Sequence, residues 1–270
     1  MTATDIAQYI SDGLALALVL RLLLLRLHSV YRVFCAFLLF DLFSSAVFFV
    51  TTHTRYLYLD YRWAWMGLRP IAWVLSLWMV YALVDAILAN LPGIQRLSHK
   101  VLNIIFVGAL ALALFTAEPE YTASQLSASP LTGNRAMAAV FVMERVIFMA
   151  ALLILLAMLA FILWFPVQMP RNLAVFSVGF VVLFAARVAL LLAHTYWTNA
   201  NREVLSNATS FTLAGCCAYW LILINRAGET KPVRMGHSWG PVEQQRLVGQ
   251  LEAMNDALLR ASRRENYREL

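Results

Sequence analysis

Long apolar runs separated by short polar stretches set the pattern of this chain. Seven runs stand out, at roughly 7–28, 33–52, 66–90, 101–117, 136–165, 172–196 and 203–225. A helix needs about 20 apolar residues to cross the hydrocarbon core of a bilayer. The runs are continuously apolar, whereas barrel strands alternate over about 10 residues, so helices are predicted. The fifth run exceeds what a membrane requires and should tilt or project beyond it. Pro70 is expected in the first turn of the third helix, where its missing N–H costs little. Pro92 and Gly93 should end that helix, and Pro166 and Pro170 bracket the turn between the fifth and sixth. The expected fold is therefore all-α, a polytopic bundle of seven transmembrane helices over residues 1–226.

After position 226 the pattern changes. Residues 227–240 contain Gly, Pro, Lys and Arg and read as a linker. A helix is expected over 241–270, with Leu247, Leu251, Met254, Leu258 and Ala261 repeating at spacings of 4-3-4-3. That is the a/d stripe of a coiled coil, though only just over two heptads long. The stripe suits self-association or a protein partner. It equally suits an amphipathic helix lying on the inner membrane face or on the bundle's own loops.

Composition strengthens the membrane reading. The chain is 61% hydrophobic and 13% charged, against about 45–50% and about 25% in soluble domains. Its net charge of +6 needs no nucleic acid, because cytoplasmic membrane loops carry excess Arg and Lys. With the amino terminus outside, the inner loops and tail hold Arg26, Arg32, Arg96, Lys100, Arg171, Arg226, Lys231 and Arg234. The outer loops hold Arg55, Arg62, Arg135 and Arg202, diluted by Asp60, Glu118, Glu120 and Glu203. The positive-inside rule thus favours amino terminus out and carboxyl terminus in. Met1–Asp12 lacks a basic n-region, so no cleavable signal is expected. Cys35, Cys216 and Cys217 fall in apolar runs and imply no disulfide framework. Trp63, Trp65, Tyr56, Tyr58 and Tyr61 crowd one outer loop, as an interfacial aromatic belt does.

Ionisable groups at membrane depth cost about 2.5–3.5 kcal/mol each on insertion scales, which makes them functional candidates. In the outer half, Arg69, Glu144, Arg145, Arg187 and His194 sit on three helices. On the seventh helix Glu203, Ser206, Asn207, Ser210, Ala214 and Cys217 form an inward stripe that turns from polar to small. These groups suggest an outward-facing, net-positive cavity for a small anionic or amphipathic ligand. The plainer reading is inter-helix hydrogen bonding. In the inner half, Arg21 and Asp41 lie at similar distances from the loop joining their helices and are expected to pair. Asp85 would complete an inner network, whose plainer role is fixing helix register.

Several chemistries fall away. A rhodopsin-type Schiff base needs a lysine within a membrane helix, and Lys100 and Lys231 lie near the inner surface. The histidines His28, His53, His99 and His194 sit at helix ends or in loops, a poor layout for haem. Zinc spacings, hydrolase, kinase and P-loop signatures are missing. Asp41 and Asp85 are weak candidates for a two-aspartate protease, since Arg21 can neutralise one. Asn207-Ala-Thr matches a glycosylation pattern but lies inside a helix. No enzyme activity, cofactor or metal is expected.

The segments Leu27–Phe40 (LHSVYRVFCAFLLF) and Leu251–Arg260 (LEAMNDALLR) resemble those of uncharacterised seven-helix inner-membrane proteins of acidobacteria-like bacteria. The layout is more distantly similar to the seven-helix sensor regions that precede bacterial signalling domains, here without a kinase or cyclase domain. The resemblance implies a bacterial cytoplasmic-membrane protein, receptor-like or scaffold in role. It would bind a ligand outside and dock a partner or second copy through 241–265, with lipids around it. A small-solute transporter of the PQ-loop kind is the main competitor, although the Pro-Gln pair is missing. A structural subunit of a larger membrane complex is the third possibility.

Overall fold

A computed structural model describes residues 3–53, 61–124, 132–165, 168–196, 202–234 and 240–266. Seven long helices follow one another: α1 (Ala3–Leu24), α2 (Arg32–His53), α3 (Tyr61–Leu88), α4 (Pro92–Ser124), α5 (Thr132–Trp164), α6 (Arg171–Tyr196) and α7 (Arg202–Leu223). A 3-10 turn (Leu27–Ser29) between α1 and α2, a single turn, α8 (Ala227–Thr230), and the tail helix α9 (Pro241–Asn266) complete the helical elements among the described residues. Two three-residue strands, β1 (Gln168–Pro170) and β2 (Pro232–Arg234), pair antiparallel, with Met169 opposite Val233.

Five stretches are long and apolar enough to cross a membrane: Ile6–Leu24, Arg32–Thr51, Trp63–Leu88, Val140–Trp164 and Arg171–Ala193. The chain is a membrane protein with several helices of transmembrane length. The apolar part of α7, Asn207–Leu223, is shorter. In α4 much of the apolar run falls on side chains outside the described residues.

Each long helix packs on the next, and α7 closes on α1, so the seven form a ring in chain order. Short connections make neighbours antiparallel. Within the ring α3 also touches α5 and α6 and so sits closest to the middle. Helical spacing selects the inward faces: Ala7, Ser11, Ala15, Leu18 and Leu22 on α1 are buried, while Ile6, Leu16 and Leu20 are exposed. In lipid the outward face stays apolar too, as Val74, Ile104, Leu153 and Ile222 show.

A block of aromatic rings fills the ring of helices toward its lower half. Phe34 stands edge-on to Phe176 (4.5 Å between centroids) and to Trp220 (4.9 Å). Phe180 lies 4.8 Å from Trp220 and 5.9 Å from Phe184, which in turn lies 5.5 Å from Phe148. Lipid tails are as apolar as this core, so tight packing rather than water exclusion holds such helices together. Gly179 is where α6 admits Trp220: a Cβ there would lie 2.2 Å from Nε1 of the indole.

Three expectations need correction, and one alternative left open is filled in. α3 begins at Tyr61, so Pro70 lies inside the helix rather than in its first turn. There it cannot donate to the carbonyl of Met66. Pro92 opens α4 instead of merely ending α3, a position where proline is favoured. Residues 227–234 of the expected linker are not free, since α8 and β2 fold back onto the start of α6, while 235–239 lie outside the described residues. Lastly, the tail helix is docked on its own bundle. Leu251 is only 8% exposed, Leu258 and half-buried Leu247 line the same side, and Met254 stays open. Asn255 Oδ1 accepts the backbone N–H of Gly93 at 2.7 Å, one of the donors that a helix start leaves unpaired. Of the two readings of this stripe, docking on the bundle is the one seen.

Replacing Gly179 by Ala should cost about 1–3 kcal/mol through overpacking against Trp220 and lower the unfolding temperature in detergent. Gly13→Ala, with nothing within 4 Å of the new methyl group, should leave that temperature unchanged or slightly raised.

Candidate functional site

Above the aromatic block the inward faces turn polar. Leu38, Asp41 and Ser45 follow one face of α2. At 1.5 Å per residue Asp41 stands about 13 Å above Arg32, and Ser45 one turn higher. Gln8, on the inward half of α1, joins three helices. Its Nε2 donates to Asp12 Oδ1 (3.1 Å) and to Ser45 Oγ (2.9 Å), while its Oε1 accepts from Ser210 Oγ of α7 (3.1 Å). Gln8 remains exposed while engaged on both sides.

Charges from α2, α3, α5 and α6 converge beside this chain of hydrogen bonds. Arg69 binds Glu144 at 2.7 Å, and Glu144 is only 5% exposed. The Arg69 guanidinium also lies 4.9 Å over the ring of Trp65, which packs on Phe141. Arg187 lies 5.2 Å over Phe148. Asp41 interacts electrostatically with Arg187, Arg69 and Asp12. Guanidinium over an aromatic face is favourable, and more so when both are desolvated. Three buried polar atoms here have no hydrogen-bond partner among the described residues: Arg187 Nε, Asn207 Oδ1 and Ser11 Oγ. A buried polar atom left unpaired costs about 1–3 kcal/mol, which a ligand supplying the bond would recover.

The contacts thus join Arg69, Glu144 and Arg187 to Asp41 in one cluster, which Asp12 and Gln8 extend to Ser210, with Asn207 on the same face of α7. Arg145 is turned about 100° from Glu144, as neighbours on a helix must be. The side chains of His194 and Ser206 lie outside the described residues. Asp12, Gln8, Ser45 and Trp65 belong to the site although sequence reasoning passed over them as site residues. Their signal was present in the Gln8–Asp12 and Asp41–Ser45 spacings of four. Trp65 is no belt residue: it is buried under Arg69, whereas its neighbour Trp63 is exposed.

Carboxylates share the site with the arginines: Asp12 and Asp41 join Glu144 beside Arg69 and Arg187. One expectation about charge is overturned. The inner network of Arg21, Asp41 and Asp85 is three separate places. α1 packs chiefly along α7, so Arg21 donates to the carbonyl of Ile224 at 3.0 Å, at the C-terminal end of α7. A cation there satisfies a spare carbonyl and suits the helix dipole. Asp85 is 42% exposed and accepts from Gln95 Nε2 (2.8 Å), with His99 Nε2 at 2.5 Å. Tyr81 flanks it, edge-on to His99 and bonded to Asn103.

The opposite end of the bundle is latched. Fully buried Asn172 donates to the carbonyl of Asn225 (2.8 Å) and to Glu229 Oε2 (3.2 Å), which also accepts from the hydroxyl of Tyr31 (2.9 Å). Burial, then the negative charge of Glu229 and the hydrogen bond to it, push the Tyr31 phenol far above its ordinary range. It therefore stays a donor. Gly228 is required here, since a Cβ would fall 2.2 Å from Asn172 Oδ1.

Among the described residues no group of three or more His, Cys, Asp or Glu could hold a metal ion. Comparison with known proteins finds no matching family model, no matching curated protein and no matching solved structure.

Removing Glu144 strands a guanidinium inside the bundle. Glu144→Ala should cost about 3–5 kcal/mol, read as a lowered unfolding temperature, and the double variant Arg69→Met/Glu144→Met should recover most of it.

Proposed function

We propose that this chain is a receptor-like protein of seven membrane spans that takes a small polar ligand from the amino-terminal side into a chamber bounded by this cluster of charges. The observation that carries the reading is a set of charges from four helices above an aromatic floor, with Arg187 Nε and Asn207 Oδ1 left unpaired. The closed ring of seven helices supports seven spans, with α4 and α7 adding to the five that qualify by hydropathy. An odd number places the termini on opposite sides. The arginine-rich loops then put α9 in the cytoplasm, in a bacterial inner membrane as the resemblance implies.

The mixed charge of the chamber refines the ligand. An anionic group suits the free N–H of Arg187, and a donor suits Asn207 Oδ1, Asp41 and Asp12. A small zwitterion meets both needs better than a simple anion does. The rings of Phe34, Phe176, Phe180 and Trp220 and the latch at Glu229 close the path beneath. This favours sensing with docking through α9 over passage of the ligand.

The test is a thermal-shift screen of the purified protein with amino acids, betaines, dicarboxylates and phosphate esters. A zwitterion present at 100 times its dissociation constant should stabilise the protein by about 2.7 kcal/mol, and Arg187→Ala should abolish that gain. A panel in which nothing shifts the wild type, or a shift that survives Arg187→Ala, contradicts the reading. Accumulation of the stabilising compound inside proteoliposomes would replace it with transport.

A further inference from the structure

Outside the chamber, α6 and α7 leave a second cavity of about 280 Å³ between them. Val178, Gly179 and Val182 of α6 line it, with Phe211, Gly215 and Tyr219 of α7. Val182 is 52% exposed and Phe211 55%, so the groove opens sideways, away from the ring's interior. A Cβ on Gly215 would meet nothing within 4 Å, which leaves that wall free. The lining is apolar and faces the surrounding membrane.

What distinguishes this groove from ordinary surface roughness is what stands at its end. Arg171, Val178 and Val182 are spaced i, i+7 and i+11, which on an α-helix is a single face. The face of α6 that lines the groove therefore carries Arg171 about 10 Å below Val178. Lys231 is adjacent, its carbonyl accepting the backbone N–H of Arg171 at 3.1 Å. Arg226 follows directly on α7, and both Arg226 and Lys231 are exposed. The carboxylate nearest in the chain, Glu229, is occupied by Tyr31 and Asn172.

We propose that this groove and the basic cluster of Arg171, Arg226 and Lys231 form a binding site for an anionic glycerophospholipid. One acyl chain lies between α6 and α7, and the phosphate rests on the cations. Basic residues below helices that leave an apolar gap are the chemistry by which membrane proteins hold anionic lipids. A second copy of the chain fits less well. A two-fold contact sets the same patch against itself, which would oppose the three cations to their own duplicates. The inference requires only that α6 and α7 lie in a membrane and is independent of the outer chamber.

The experiment is native mass spectrometry of the full chain in detergent, titrated with phosphatidylglycerol or with phosphatidylcholine of identical acyl chains. Phosphatidylglycerol adducts should be retained preferentially. Arg171→Gln and Lys231→Gln should each weaken them by about fivefold, the worth of one basic residue at a membrane surface. Gly215→Phe, which fills the open wall, should weaken adducts of both lipids while leaving the unfolding temperature unchanged. The proposal is overturned if both lipids are retained equally, or if the glutamine variants bind as the wild type does. Loss on charge removal but not in Gly215→Phe also overturns it, since that is surface attraction alone. So does displacement of the lipid by millimolar inorganic phosphate, which would make the cations a site for the free anion.

Discussion

A charged side chain on a helix surrounded by hydrocarbon has one affordable direction, which is inward. That constraint organises the bundle. Arg69, Arg187, Asp41 and Glu144 all lie on the faces of their helices that continue the buried stripes below them. The cost of holding them there is met in three ways: a direct ion pair at Glu144, aromatic faces under both guanidinium groups, and mutual compensation of Asp41 with the two arginines. With insertion costs of about 2.5–3.5 kcal/mol per charge, none of these groups would sit at this depth unpartnered. The compensation is incomplete at Arg187 Nε and Asn207 Oδ1, and that residue of unmet demand is the strongest sign of a ligand.

Layering follows from the same inward stripes. On α2 the order from one end is Phe34, Leu38, Asp41 and Ser45; on α6 it is Phe176, Phe180, Phe184 and Arg187. Each helix therefore changes from aromatic to polar at about the same height, which makes a floor and a chamber out of separate sequence patterns. Below the floor, Asn172, Glu229 and Tyr31 tie the starts of α2 and α6 to the segment that follows α7. The tail helix is held at α4 by Asn255 and Leu251.

Much of this was legible in the sequence. Continuous apolar runs located six of the seven long helices to within about five residues, because a helix in lipid must be apolar nearly all round, whereas α4 (Pro92–Ser124) extends well beyond its apolar run at 101–117 at both ends. Period 3.6 also placed Asn207, Ser210 and Cys217 on one inward face. What could not be read was which helix lies beside which. The Arg21–Asp41 pairing assumed that sequence neighbours share their polar faces, but α1 turns toward α7, and Arg21 finds a helix end. The i, i+4 spacing of Gln8 and Asp12 was visible, but not what it serves, because their partners Ser45 and Ser210 come from both flanking helices. The folding back of 227–234 depends on Asn172 and Glu229, which lie far apart in the chain. No local pattern announces that contact.

The central claim is an open polar chamber above a sealed aromatic floor, and cysteine reactivity along α2 tests it most directly. In a background with Cys35, Cys216 and Cys217 replaced by Ala, Ser45→Cys and Leu38→Cys differ by two helical turns on the same face. A membrane-impermeant thiol reagent added from the amino-terminal side should label Ser45→Cys readily and leave Leu38→Cys untouched. Equal labelling of the two, or protection of both, would contradict the account.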